Sequence, residues 1–192
     1  VAAVVRKRAG WIVRTANGSF LHPVVKQLVS GESLPYLGRQ ARLFVEPSDV
    51  KRVDVRFSHW SFRVVPPYGL LGDDRRAAIV KELARWYKRR AAERLTERVH
   101  RWAPAVGCDP KEVIVRDQRQ RWGSCSPDGT LRFNWRVIQV EPSLIDYVVV
   151  HELVHLLVKN HSAHFWGNVG RVLPDYRLRR QRLKEAGAHV AF

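Results

Sequence analysis

Cysteines and long hydrophobic runs are both scarce in this sequence. Its 192 residues include two cysteines, Cys108 and Cys125, too few for a disulfide framework and typical of a reducing cytoplasm. No run approaches the roughly eighteen apolar residues of a transmembrane helix, and the apolar part of the N-terminal segment is too short for a signal peptide. We therefore expect a cytoplasmic protein that does not enter a membrane.

Acidic residues are few relative to basic ones. The 34 lysines and arginines against 18 aspartates and glutamates give a formal net charge of +16, which attracts polyanions such as nucleic acid. The arginines cluster between residues 85 and 101 and again between 177 and 182. No zinc-finger spacing, RNA-recognition signature or leucine zipper accompanies them. The charge predicts a solvated basic surface, with nucleic acid as one candidate partner.

The length and a hydrophobic content of 45% indicate one folded domain, residues 1–192. Residues 1–70 are predicted to be β-rich, because apolar residues, Trp60 among them, alternate at period two between 34 and 67. Residues 71–192 are predicted to be largely helical and to carry the candidate site. The expected fold class is therefore α+β.

A long amphipathic helix is predicted between residues 73 and 102, where apolar residues recur every three or four positions. Asp73 is its predicted N-cap. Pro104 and Gly107 are predicted to end it, because proline lacks an N–H group and glycine readily adopts left-handed geometry. We expect this helix to pack the domain together.

Shorter elements follow. Two short strands are predicted at 113–115 and 130–134, joined by a segment that contains an Asp-Gly turn. A predicted helix begins at Pro142, a favoured first helical residue, and extends to about residue 159. Ser162 is a candidate cap for a short helix, and a last helix is expected between residues 174 and 187.

The helix after Pro142 contains the motif His151-Glu152-Leu153-Val154-His155. Residues four apart share one face of a helix, so both imidazoles can bind one metal ion. Glu152 lies about 100° around the helix, where it can take a proton from a metal-bound water. Apolar neighbours embed the motif, and burying these polar groups without a ligand would be unfavourable by several kcal/mol. The motif predicts a zinc centre.

Catalytic zinc commonly has three protein ligands, and the third is predicted to be His161. Val158 stands where the related metzincin spacing has glycine, so Asn160 is predicted to end the helix in left-handed geometry and return His161 to the metal. The alternatives for the third ligand are His164 on the next helix and a downstream carboxylate, Asp175 or Glu185.

Several segments together resemble the YgjP-like metallopeptidase family. They are Gly31-Glu32, Tyr36-Leu37-Gly38-Arg39, Arg121-Trp122-Gly123-Ser124-Cys125-Ser126, Asn134, Asp146 to His155, Asn160-His161-Ser162, Phe165-Trp166 and Pro174-Asp175-Tyr176. The resemblance implies a zincin-type α+β fold, similar to SprT-like proteases and minigluzincins, with the motif helix packed under a small sheet. It also implies His151, His155 and His161 as zinc ligands and Glu152 as the general base. It implies no particular substrate.

Other residues in these segments have two interpretations each. Arg121 and Asn134 are candidates to polarise a substrate carbonyl or hold a carboxylate, and a structural role in the turn and strand is the alternative. Tyr176 is a candidate oxyanion donor or a packing residue. Cys125 is interpreted as a buried, unreactive thiol. The tryptophans expected in the core are Trp122, Trp135 and Trp166.

The leading hypothesis is a zinc-dependent hydrolase, a metallopeptidase that acts on a peptide or protein with one zinc per chain. A nucleoside triphosphate pyrophosphohydrolase is an alternative that fits the basic surface, although the sequence has no Gly-rich phosphate loop and no carboxylate cluster for Mg²⁺. A DNA-associated protease of the SprT-like type is another. A nucleic-acid-binding module with structural zinc is disfavoured, because such sites usually have four ligands and are rich in cysteine.

Overall fold

Two small β-sheets and four α-helices form the part of the chain that our computed structural model describes, residues 26–118, 120–187 and 190. The predicted α+β class is confirmed. The first 25 residues of the predicted β-rich part, with their apolar start, lie outside this description. Buried residues of both sheets and of the two longest helices belong to one hydrophobic cluster.

The first sheet has four strands in the order β1-β2-β4-β3. Its strands are β1 (Ser33–Tyr36), β2 (Arg39–Val45), β3 (Asp54–Ser58) and β4 (Ser61–Val65). β2 and β4 are parallel, and the other pairs are antiparallel. The predicted alternation is wrong at Trp60, which is 41% exposed. His59 and Trp60 form a two-residue turn with φ of 47° and 54°, the geometry that matches the twist of an antiparallel hairpin.

The long helix α1 (Gly72–Val106) lies against both sheets and buries one residue per turn along most of its length. The prediction that Asp73 caps it is wrong: Leu71 is the N-cap, without a side-chain hydrogen bond. Asp73 lies instead in the first turn, where the helix dipole favours a carboxylate. Pro104 does not end α1 either, because a proline in the last turn removes only one helical hydrogen bond. Gly107, with φ of 84°, ends the helix by donating its N–H to Ala103.

The second sheet has three strands in the order β5-β7-β6. They are β5 (Glu112–Arg116), β6 (Gly123–Cys125) and β7 (Thr130–Asn134). β5 and β7 are parallel, an arrangement that their long connection allows, whereas β6 and β7 form an antiparallel hairpin. The sequence predicted β6 only as part of a connecting segment. A single 3₁₀ turn, Trp135–Gln139, leads from β7 to the next helix.

Three helices complete the fold: α2 (Pro142–Leu157), α3 (Ala163–Val172) and α4 (Tyr176–Ala186). α2 is buried nearly all around, between α1, β6, α3 and α4. Pro142 begins α2 as predicted, and α2 ends two residues before the predicted position. The predicted cap of α3 is confirmed, since the Ser162 hydroxyl accepts from the Phe165 N–H at 3.4 Å. Among the described residues, no helix combines the length and the apolar character needed to cross a membrane.

Candidate metal centre

Two histidines lie on one face of α2 because they are four residues apart. The ring centroids of His151 and His155 are 4.9 Å apart. Nδ1 of His155 is 3.1 Å from the carbonyl oxygen of Val158, just beyond the end of α2. When Nδ1 carries the proton and donates it to this carbonyl, Nε2 keeps its lone pair for a metal ion.

His161 returns to the same place, although by a route that differs from the prediction. Val158, with φ of −133°, leaves the helix in extended geometry, and Asn160 is not left-handed. The side chain of Asn160 instead accepts a hydrogen bond from the Ser162 N–H at 3.3 Å, a short side-chain turn. Nε2 of His161 then lies 3.1 Å from Nε2 of His151. The structure therefore brings together all three histidines that the sequence singled out.

The three imidazoles fit a zinc ion. One nitrogen from each histidine lies within 4.8 Å of the others, and ligands of tetrahedral zinc lie roughly 3.3 Å from one another. Burial, with a contribution from the neighbouring imidazoles, lowers the pKa of His151 to about 3. Burial also lowers the pKa values of His155 and His161, so all three are neutral at pH 7, as metal ligation requires. Nδ1 of His151 is buried without a hydrogen-bond partner.

The alternative third ligands lie outside this cluster. His164 is exposed on α3, beside the side chain of Asn168. Asp175 pairs with Arg179 at 2.9 Å, and Glu185 accepts a hydrogen bond from Gln181. Within residues 26–118, 120–187 and 190, His151, His155 and His161 are the one group of three such side chains placed to hold a metal ion.

Aromatic rings surround the histidines. Phe165 is fully buried, with its ring centroid 4.5–4.9 Å from those of all three histidines. Trp166 is half-buried and stacks on His161 with centroids 5.6 Å apart, whereas Trp135 is buried in the core as predicted. Trp122 is half-buried and packs against the core. The sequence analysis missed the role of Phe165, whose position in the first turn after the Ser162 cap was the available signal.

Glu152 lies beside the histidine cluster and is only 6% exposed. Burial raises its pKa to about 8, and the positive charge of Arg121 opposes that rise. Gly123 of β6 passes so close that a Cβ at this position would lie 2.8 Å from both Cγ and Oε1 of Glu152. The absence of a side chain at Gly123 makes room for the carboxylate. Nearby Cys125 is half-buried, and burial raises the pKa of its thiol.

Asn134 has a structural role. It is fully buried, and its Nδ2 donates to the carbonyl oxygens of Gln118 at 2.6 Å and Arg121 at 3.3 Å. Its Oδ1 accepts from the N–H of Arg136. These bonds fix the segment that leads into β6, so Asn134 positions the wall of the site.

The other two candidate contacts remain near the site. Arg121 is exposed, close enough for its charge to act on Glu152. The Tyr176 ring stacks on Trp166 at 5.4 Å and 13°, and its hydroxyl accepts a hydrogen bond from Nε of Arg177 at 3.2 Å. Tyr176 thus packs against the aromatic wall of the site.

Comparison with known proteins decides the family. The family described as YgjP-like, metallopeptidase domain, matches residues 1–186. The chain belongs to this family. Two solved metallopeptidase zymogens are similar to it. Pyrococcus abyssi abylysin is 21% identical, and the match covers 50% of this chain and 99% of abylysin with a TM-score of 0.45. Methanocaldococcus jannaschii jannalysin is 20% identical, and the match covers 46% of this chain and 94% of jannalysin with a TM-score of 0.40. No curated protein matches the sequence.

Proposed function

We propose that this YgjP-like protein is a zinc-dependent peptidase in which His151, His155 and His161 hold the metal and Glu152 is the general base. The observation that carries the proposal is the convergence of three neutral imidazoles within 4.8 Å, beside a buried carboxyl group. Zinc with three protein ligands lowers the pKa of a water in the fourth position to about 7 and polarises a carbonyl group.

Glu152 is suited to carry a proton between the attacking water and the leaving group. A general base must be ionised before it acts, and burial, opposed by the positive charge of Arg121, raises the pKa of Glu152 to about 8. The positive charge of a bound metal ion would lower this pKa and favour the ionised form. Glu152 then takes a proton from the attacking water and returns it to the nitrogen of the leaving amine as the peptide bond breaks.

The position of β6 favours a peptide as the substrate. β6 is an edge strand of its sheet and lies against α2, with Gly123 in contact with Glu152. An extended peptide can pair through backbone hydrogen bonds with the outer edge of such a strand, which no other strand of the described residues covers. In contrast, the described residues contain no cluster of three carboxylates that would bind Mg²⁺ with a nucleoside triphosphate.

Metal content and activity test the proposal together. Purified wild-type protein should contain one zinc per chain and cleave peptides. His155→Ala should lose most of the metal, whereas Glu152→Gln should keep it and lose activity by on the order of 10²–10⁴-fold. His100→Ala is the matched control, because His100 is exposed on α1 and outside the histidine cluster.

Two outcomes would contradict the proposal. Equal zinc content in His155→Ala and the wild type would exclude the metal centre, and full activity of Glu152→Gln would exclude the general base. Nucleoside triphosphates belong in the same assay. Their hydrolysis without any peptide cleavage would support the phosphohydrolase hypothesis for this site and contradict the peptidase proposal.

A further inference from the structure

Four exposed cations at or near the metal centre lack a carboxylate partner. They are Arg121, Lys159, Arg177 and Arg180, and none of them is within 4.0 Å of a carboxylate in the part of the chain that the structure describes. The charge of Arg180 acts on both His151 and His161. The charge of Lys159 acts on His155, and that of Arg121 acts on Glu152. The surroundings of the site are therefore strongly positive.

Many other cations, on α1 and α4, are neutralised by neighbouring acids. The ion pairs are Arg85–Glu82, Lys88–Asp117, Arg90–Glu93, Arg94–Glu97 and Arg98–Asp146 on α1, and Arg179–Asp175 and Arg182–Glu141 on α4. Other cations, among them Lys81, Arg89 and Arg101 on α1, also have no carboxylate within 4.0 Å among the described residues. Position beside the metal centre, and not number, distinguishes Arg121, Lys159, Arg177 and Arg180.

Arg180 is the best positioned of the four unpaired cations. Its guanidinium carbon lies 4.9 Å from the centroid of the Trp166 ring, a cation–π contact that restrains the side chain. Trp166 in turn stacks on the candidate ligand His161 and on Tyr176. A stack of rings therefore connects the guanidinium to the metal centre, and the guanidinium keeps its N–H donors for an incoming group.

We propose that Arg180, held over Trp166, binds a carboxylate of the substrate and gives this peptidase a preference for acidic peptides. This inference rests on the proposed function. Arginine binds carboxylates through two parallel N–H···O bonds, a geometry that lysine does not offer. The carboxylate comes either from an aspartate or glutamate side chain close to the scissile bond or from the free C-terminus of the peptide.

Binding to an inactive protein tests this inference separately from catalysis. The protein is zinc-loaded Glu152→Gln, and the probes are N-acetylated alanine hexapeptides that carry one Glu or one Gln at each position in turn, as C-terminal amides. A parallel set without Glu compares the free C-terminal acid with the amide. Calorimetry should show one Glu position, or the free acid, bound about fivefold more tightly than its neutral counterpart, the upper range for an exposed ion pair.

Substitutions then assign the preference to Arg180. Adding Arg180→Gln should abolish the fivefold ratio, and adding Arg180→Glu should invert it. Lys184→Gln is the matched control and should preserve the ratio. Lys184 is exposed on the same helix, and its substitution by glutamine removes the same charge as Arg180→Gln. Raising the salt concentration should reduce the preference.

The outcomes separate the two proposals. Equal affinity for acidic and neutral peptides, or a preference that survives Arg180→Gln, overturns the role of Arg180 and leaves the peptidase proposal standing. A preference that depends on Arg180, in a protein whose wild type cleaves no peptide, supports the carboxylate site and overturns the peptidase proposal.

Discussion

Replacing Gly123 by alanine isolates the contact between β6 and the candidate general base. The new methyl group would lie 2.8 Å from Cγ and Oε1 of Glu152 and 3.0 Å from Cδ, well inside the roughly 3.5–4.0 Å of ordinary carbon contacts. Gly123 does not have a positive φ, so the backbone tolerates alanine and the effect is steric. Because Glu152 is 6% exposed, either its side chain or β6 must move.

The expected magnitude follows from that overlap. Overpacking of this kind destabilises a protein by about 1–3 kcal/mol, and each kcal/mol lowers Tm by roughly 2–4 °C in a chain of this size. Displacement of a catalytic group by about 1 Å lowers kcat/KM by on the order of 10²-fold. The zinc content should stay near that of the wild type, because the three atoms nearest to the added methyl all belong to Glu152.

Peptidase kinetics, zinc analysis and thermal unfolding measure these three effects. Gly167→Ala is the control: Gly167 lies in α3, its added methyl meets no atom within 4 Å, and its φ is not positive. Alanine in a helix is favoured over glycine by up to about 1 kcal/mol, so this variant should keep full activity and equal or higher Tm. Wild-type kcat/KM in Gly123→Ala would refute the conclusion that β6 confines Glu152.

Two further predictions concern the candidate third ligand and the N-terminal end of α2. His161→Ala should weaken zinc affinity by more than the 10–100-fold that is typical when a metal ligand loses its hydrogen-bond partner. His164→Ala should leave the zinc affinity unchanged. A zinc titration that shows the reverse would assign the third ligand to His164. Asp146→Ala should destabilise the protein by about 3 kcal/mol in urea unfolding, because it leaves Arg98 and Trp102, which both donate to Asp146, without their acceptor. A decrease of less than about 1 kcal/mol in the free energy of unfolding would show that the ion pair between Arg98 and Asp146 is solvated.

Local rules account for what the sequence predicted well. Pro142 begins α2 because its missing N–H is not needed in the first turn. Ser162 caps α3 because its hydroxyl accepts an N–H that the helix leaves free. The four-residue spacing of His151 and His155 places them on one face of α2. Each of these inferences depends on residues within one helical turn of one another.

The predictions that failed depend on choices between several local solutions, or on distant residues. Asn160 was expected to turn left-handed, but its side chain satisfies the Ser162 N–H and the chain turns already at Val158. Gly123, in a strand, lies against Glu152, in a helix 29 positions further along the chain. No periodicity in the sequence predicts this contact. Sheet register and helix packing determine such contacts.

Hydrogen bonds within the segment from Val158 to Ser162 position the candidate third ligand, His161. The carbonyl of Val158 orients His155, and the side chain of Asn160 fixes the turn through the Ser162 N–H. Ser162 then caps α3, whose first turn places Phe165 against the histidines. These contacts place Nε2 of His161 3.1 Å from Nε2 of His151. Each hydrogen bond restricts the backbone between the two helices, and a restricted segment loses less conformational entropy on binding than a flexible one.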